Sequence, residues 1–132
     1  MNRFKGIIKE IETSGSLSLV KVDVQDTLFS TIIIDTPETL TSLQLGHSVD
    51  VIFKESEVAL GKEPFQISLQ NRIPGNIKKI ERNELLSKVE LNTAIGMITA
   101  LITTKAVLDL GLLDGEDATA LIKTNEIMLS YD

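Results

Sequence analysis

At Ser68-Leu69-Gln70-Asn71-Arg72-Ile73-Pro74-Gly75 the sequence begins a second copy of its own N-terminal pattern. Asn71-Arg72-x-x-Gly75 restates Asn2-Arg3-x-x-Gly6, and the rest of the chain aligns with the first half at the same separation, without a gap. Matching pairs run through both halves and include Ile8/Ile77, Ser18/Ser87, Val20/Val89, Ile33/Ile102, Gly46/Gly115, Lys54/Lys123 and Glu57/Glu126. The chain is therefore a tandem repeat of one small unit.

The repeat divides the 132 residues into a first unit over 1–63, an extended connector over 64–69 and a second unit over 70–132. A unit of about 65 residues buries only roughly 60% of its unfolded surface and is marginally stable alone. We therefore expect the two units to pack together, or several chains to associate.

Composition excludes several classes of function. The chain has no cysteine and a single histidine, so it lacks the material for a disulfide framework, a thiolate metal site or a His-dependent catalytic triad. The net charge of −6, four Phe, one Tyr and no Trp argue against a nucleic-acid partner. The N-terminus, Met1 to Gly6, lacks the apolar run of a signal peptide, and no apolar run approaches the length of a membrane span, so we expect a cytoplasmic protein with no membrane partner. We also expect no catalytic residues.

Hydrophobic alternation predicts mostly β-structure. Val20, Val22 and Val24 alternate with polar residues, and similar patterns predict first-unit strands near 4–11, 20–24, 28–34, 49–53 and 58–60. The second unit repeats them near 75–80, 87–92, 97–102, 118–123 and 126–129. This is the element order of a small OB-type barrel. The predicted fold class is all-β with short helices, in tandem OB-like five-stranded barrels.

Each unit is predicted to contain one short helix between its third and fourth strands. In the first unit, Asp35-Thr36-Pro37-Glu38 is typical of a helix start, and Leu40 and Leu43 share one face. In the second unit a helix is expected over 105–110. Apolar residues alternate over 65–69 of the connector, so we expect this segment to pair with a sheet edge.

The motifs of the second unit resemble those of the molybdate-binding Mop domains, also called molbindins or transport-associated OB (TOBE) domains. The resemblance rests on Ser68-Leu69-Gln70-Asn71-Arg72-Ile73-Pro74-Gly75, Ile102-Thr103-Thr104, Leu110-Gly111-Leu112-Leu113-Asp114-Gly115 and Ala120-Leu121-Ile122-Lys123-Thr124-Asn125. It covers nearly the whole chain. It implies an OB-like barrel, and a homo-oligomer, a trimer in the duplicated members, that binds molybdate or tungstate between units.

The resemblance also implies the site residues. Ser68, Thr103 and Lys123 match positions at which the family binds the oxyanion, whereas Gln70 stands where the family has Arg and Ala106 where it has Ser. Hydroxyls, amide groups and a helix N-terminus suit a tetrahedral dianion because they donate hydrogen bonds to it. The full candidate set is Ser68, Gln70, Asn71, Thr103, Thr104, Lys123, Thr124 and Asn125, with Lys54 as a weaker member and no protein-ligated metal cation.

Structural readings of the same residues stay open. Lys54 and Lys123 could be solvated lysines at strand ends, Thr103-Thr104 a helix cap, and Asn71 a residue that binds backbone. The first-unit pocket is predicted to be degenerate, because Asp35 and Glu55 would repel a dianion.

The sequence thus predicts an intracellular molybdate- or tungstate-binding protein for storage, buffering or delivery. The alternative is a regulatory or assembly module of a molybdate transport or regulation system, with weakened ligand binding.

Overall fold

The computed structural model describes residues 1–131 and contains ten strands, one α-helix and two 3₁₀ turns. The first half holds β1 (Asn2–Ser14), β2 (Leu17–Val24), β3 (Thr27–Ile33), β4 (Ser48–Phe53) and β5 (Ala59–Gly61). The second half holds β6 (Asn71–Arg82), β7 (Leu86–Thr93), β8 (Gly96–Thr103), α1 (Thr104–Leu110), β9 (Asp117–Ile122) and β10 (Met128–Tyr131). The 3₁₀ turns, Glu55–Glu57 and Thr124–Glu126, precede β5 and β10. The predicted all-β class is confirmed.

The strands form two five-stranded sheets, and each sheet takes its last strand from the other half of the chain. Their orders are β10-β4-β1-β2-β3 and β5-β9-β6-β7-β8, with every neighbouring pair antiparallel. Leu60 of β5 lies opposite Ala120, and Leu129 of β10 lies opposite Val51. The predicted boundaries at 1–63, 64–69 and 70–132 separate the two repeats in the sequence, but each sheet contains strands from both repeats.

Each sheet curls over a shared apolar core because its longest strand, β1 in one sheet and β6 in the other, bends at an irregular pairing. The register shifts between Ile8 and Glu10 in one sheet and between Ile77 and Lys79 in the other, which are equivalent positions. β-Bulges of this kind increase twist and bend a strand. Gly75 also permits a close crossing, since a Cβ there would lie 2.5 Å from the carbonyl oxygen of Asn92.

Two asparagines fasten the halves together. Asn71 is 1% exposed, and its Nδ2 donates to the carbonyl oxygens of Ser30 (2.9 Å) and Ile122 (3.0 Å), while its Oδ1 accepts from the Ser30 amide (2.7 Å). Asn2 makes the equivalent pair with Thr99, donating to its carbonyl (2.9 Å) and accepting from its amide (2.8 Å). The repeated Asn therefore binds the third strand of the opposite half.

The prediction of a helix in the first unit is wrong. Residues 35–46 form turns, in which the amides of Thr39 and Leu40 both donate to the carbonyl of Thr36. The hydroxyl of Thr39 donates to the carbonyl of Thr36 (3.2 Å), so a side chain competes here for a backbone acceptor that a helix would use. In the second half, α1 begins one residue earlier than predicted and ends at Gly111, whose φ of 61° is left-handed.

The connector does not pair with a sheet edge, so that prediction is also wrong. The edge beside β9 is already occupied by β5. Arg72 holds the connector instead, donating from its guanidinium to the carbonyls of Leu69 (2.7 Å) and Ile67 (2.8 Å) and lying 5.9 Å from the centre of the Phe65 ring. Within residues 1–131, no helix has the length and apolar character that crossing a membrane requires.

We predict that Asn71→Ala lowers the free energy of unfolding by about 2–4 kcal/mol, because it leaves the amide and carbonyl of Ser30 and the carbonyl of Ile122 buried without their partner. Urea denaturation measures the change. Asn125→Ala, at an exposed position, is the control and should shift stability by less than about 0.5 kcal/mol. Equal effects of the two substitutions would contradict the role given to Asn71.

Candidate functional site

Four of the predicted site residues line one cleft at the seam between the two halves. We call it the Lys123 cleft; it has a volume of about 260 Å³ and is lined by Leu19, Ile32, Ser68, Leu69, Gln70, Lys123 and Thr124. Lys123 and Thr124 follow β9, Ser68 to Gln70 precede β6, and Leu19 and Ile32 come from β2 and β3 of the first half. The cleft therefore needs both halves.

A buried threonine positions the 3₁₀ turn that carries Thr124. The hydroxyl of Thr31 on β3 is fully buried and donates to the carbonyls of Thr124 (3.1 Å) and Ile127 (2.8 Å). Glu126 closes the same turn by donating its amide to the carbonyl of Lys123 at 3.1 Å. The backbone around Lys123 and Thr124 is thus fixed against the first half.

The lining of the Lys123 cleft suits an anion. Lys123 supplies an ammonium group, Gln70 an amide donor, and Ser68 and Thr124 hydroxyls, and none of the described residues that line the cleft carries a carboxylate. Within residues 1–131 the Lys123 ammonium takes part in no ion pair. This arrangement can offer several hydrogen bonds and one positive charge to a tetrahedral dianion.

The equivalent seam on the other side forms a second cleft, which we call the Lys54 cleft. Its volume is about 470 Å³, and its lining residues are Met1, Lys54, Glu55, Ser56, Lys88, Thr99 and Leu101. Position by position they correspond to residues at or beside the Lys123 cleft. The two clefts are therefore related by the internal repeat.

The Lys54 cleft contains an ion pair that its counterpart lacks. Oε2 of Glu55 lies 2.7 Å from the Met1 ammonium, and this hydrogen bond lowers the pKa of Glu55, aided by the backbone amide of Glu55 and by the charge of Lys88. Glu55 is one of two carboxylates expected to repel an anion here. The other, Asp35, is not among the lining residues, and its Oδ1 accepts from the hydroxyl of Thr39 at 3.3 Å.

Thr103 lies in neither cleft. It lines a neighbouring groove with Ala106 and the segment Ser56 to Ala59, which includes part of the 3₁₀ turn of the first half. This groove shares Ser56 and Leu101 with the Lys54 cleft. Its hydroxyl caps α1 by accepting from the Ala106 amide at 3.1 Å. Within one chain the structure thus separates Thr103 from Ser68, Gln70 and Lys123.

The remaining candidates lie outside the Lys123 cleft. The Thr104 hydroxyl donates to the carbonyl of Asn83 (2.7 Å) and contacts the hydroxyl of Ser87 (2.8 Å), so it fixes the β6–β7 turn against α1. The Asn71 amide is buried in the bonds described above. Asn125 is exposed on the 3₁₀ turn next to Thr124.

Sequence reasoning missed the residues that each cleft takes from the opposite half. Leu19 and Ile32 face Lys123, whereas Lys88, Thr99 and Leu101 face Lys54. Aligning the repeats could not reveal these lining residues, because the alignment pairs equivalent positions and does not show which residues of one half contact the other half. Only the exchange of β5 and β10 between sheets carries that information.

Comparison with known proteins confirms the predicted family resemblance. Residues 67–129 match the model of the TOBE domain family. The chain is also 28% identical over 134 aligned positions to the molybdenum transport protein ModE of Herbaspirillum seropedicae, which covers 98% of the chain. It spans about half (49%) of the length of that relative.

Among solved structures, the chain is similar to the cytoplasmic molybdate-binding protein ModG in a crystal form with molybdate bound. The TM-score is 0.92 at 26% sequence identity, over 99% of this chain and 96% of ModG. The tandem OB-like architecture is therefore confirmed. MopII from Clostridium pasteurianum aligns at 28% identity with 48% of this chain and 96% of its own, at a TM-score of 0.46.

We predict that Thr104→Val lowers the free energy of unfolding by about 1–2 kcal/mol, because the hydroxyl of the fully buried Ser87 loses its partner. Thr41→Val, at an exposed position, provides the matched control. Chemical denaturation of both variants checks the prediction, and a Thr104→Val protein as stable as the control would remove the structural role assigned to this hydroxyl.

Proposed function

We propose that this protein binds molybdate or tungstate and serves molybdenum homeostasis by storing, buffering or delivering the oxyanion in the cytoplasm. The observation that carries the proposal is the Lys123 cleft, where Ser68, Gln70, Lys123 and Thr124 converge without a carboxylate. The similarity to molybdate-bound ModG over nearly the whole chain supports the same ligand class.

The ligand chemistry follows from the donors. A tetrahedral dianion loses its hydration on binding and needs hydrogen bonds and positive charge in return. Hydroxyl and amide groups do not titrate at physiological pH, so the cleft keeps these donors under cellular conditions. The protein holds the ion and performs no reaction on it, which makes it a binding protein and not an enzyme.

A second copy of the chain completes the site in this proposal. Thr103, which the family resemblance assigns to the ligand, lies in a groove apart from Lys123, so both can reach one ion only across an interface between chains. An exposed apolar surface is available beside the Lys123 cleft, where Leu17 (46%), Ile32 (43%), Ile34 (79%) and Met128 (45%) are open to solvent. Apolar surface of this kind favours association, and a homotrimer is the assembly that the family resemblance implies. Nucleic acids and membranes have no part in the proposal.

One observation favours a second candidate function. The curated relative, molybdenum transport protein ModE, is about twice as long as the segment that this chain matches. A chain equivalent to part of such a protein could act as a regulatory or assembly module whose ligand binding is weakened, as Gln70 in place of Arg would allow.

Isothermal titration with molybdate, tungstate and sulfate, together with the mass of the protein in solution, separates these candidates. The binding proposal expects heat and thermal stabilisation with molybdate and tungstate, and an oligomeric mass. Absence of any response to molybdate and tungstate would overturn the binding proposal and favour the interaction module.

We predict that Lys123→Ala weakens tungstate binding by about tenfold or more, because the only cation lining that cleft is lost. Lys54→Ala should have a smaller effect, since Glu55 already occupies its cleft with a negative charge. Lys9→Ala removes the same charge from an exposed site on β1 and is the control. Equal losses for Lys123→Ala and Lys54→Ala would contradict the assignment of the main site.

A further inference from the structure

The connector between the two repeats is held by a single side chain. In the described part of the chain, residues 64–70 make two hydrogen bonds, and both come from the guanidinium of Arg72 at the start of β6. Its Nε donates to the carbonyl of Leu69 (2.7 Å) and its Nη2 to the carbonyl of Ile67 (2.8 Å). The same guanidinium lies 5.9 Å from the centre of the Phe65 ring. Arg72 therefore contacts the connector at three points.

The two hydrogen bonds lie on either side of Ser68. One fixes the peptide unit that joins Ile67 to Ser68, and the other fixes the unit that joins Leu69 to Gln70. Because a peptide unit is planar, fixing the two carbonyls also fixes the directions of the amides of Ser68 and Gln70. These residues line the Lys123 cleft, whereas Arg72 does not. Arg72 thus acts on the cleft through the connector backbone.

The first half shows what Arg72 would otherwise bind. The equivalent Arg3 of β1 donates from Nη1 to Oδ2 of Asp50 on β4 at 2.6 Å. At the position equivalent to Asp50, β9 carries Thr119, whose hydroxyl donates to Oε2 of Glu63 at 3.3 Å. Since Thr119 has no carboxylate, nothing equivalent to Asp50 draws the Arg72 guanidinium away from the connector.

A guanidinium group suits this role better than an ammonium group. Its N–H donors lie in a rigid planar fork, so it can bind two carbonyls at once and also lie over an aromatic ring. A connector without these bonds would have more conformations available to it. A ligand that needs one of these conformations would then have to order the segment, which lowers its affinity.

We propose that Arg72 is a positioning residue for the oxyanion site, because it fixes the connector in the conformation that places Ser68 and Gln70 in the Lys123 cleft. The inference rests on the proposed function, since the ligand is the same tetrahedral oxyanion. Arg72 acts through geometry and not through its charge. Neither the motifs of the second unit nor the alignment of the repeats assigns it this role.

Arg72→Lys tests the proposal, because it keeps the positive charge and removes the fork of donors. We expect isothermal titration to show tungstate affinity about tenfold lower than in the natural protein, from the loss of two hydrogen bonds that order the connector. Arg82→Lys, at the exposed opposite end of β6, is the matched control and should stay within about twofold. Since the charge is unchanged, the ratio of the natural to the Arg72→Lys affinity should not shrink as salt is added.

Limited proteolysis reports the connector directly. Chymotrypsin cleaves after Phe65 or Leu69, and mass spectrometry identifies the products. Without ligand, we expect these cuts to be faster in Arg72→Lys than in the natural and Arg82→Lys proteins, with closely similar melting temperatures for all three. A lower melting temperature with faster cleavage throughout the chain would instead assign Arg72 a general role in stability and overturn the proposal.

The outcomes separate this inference from the proposed function. If the natural protein binds tungstate and Arg72→Lys binds it as tightly as Arg82→Lys does, the positioning role is overturned and the main site stands. Faster cleavage of the connector without loss of affinity overturns it equally. If the natural protein does not bind tungstate, the proposed function falls and the positioning role falls with it.

Discussion

The two halves of the chain exchange their last strands, and this exchange holds both sheets together. β5 of the first half pairs with the edge of β9, and β10 of the second half pairs with the edge of β4. An exposed strand edge carries unpaired amides and carbonyls, and the exchange pairs both edges within one chain. Asn2 and Asn71 reinforce it by binding backbone of the opposite half. Neither half therefore completes its sheet or satisfies its buried polar groups alone.

The exchange also creates the clefts. Each 3₁₀ turn that leads into an exchanged strand must cross the seam, so Lys54 and Lys123 at the start of these turns face residues of the other half. Both clefts have the same backbone arrangement, and differences in a few side chains give them different charges. Thr31 anchors one turn through its hydroxyl, whereas the equivalent Ala100 has no hydroxyl to offer the other.

Most of the secondary structure could be predicted from the sequence, because the repeat and the alternation of apolar and polar residues can be read directly from it. The strands, the helix at Thr104–Leu110 and the left-handed glycines at Gly46 and Gly115, with φ of 86° and 88°, follow from short-range patterns. The strand exchange could not be predicted, since both the exchanged and unexchanged arrangements have the same order of elements. For the same reason, the sequence did not reveal that Lys88 lines the Lys54 cleft. The failed first-unit helix has another cause, which is the competition of threonine hydroxyls for backbone groups at residues 36–40.

The central claim is that an oxyanion binds at the seam, held by Lys123 and the connector. Anomalous diffraction from crystals grown with tungstate tests it most directly, because tungsten scatters strongly and can be located without bias from the protein. We predict a tungsten peak within hydrogen-bonding reach of Lys123, Gln70 and Thr124. Tungsten found only at positions remote from both clefts would contradict it.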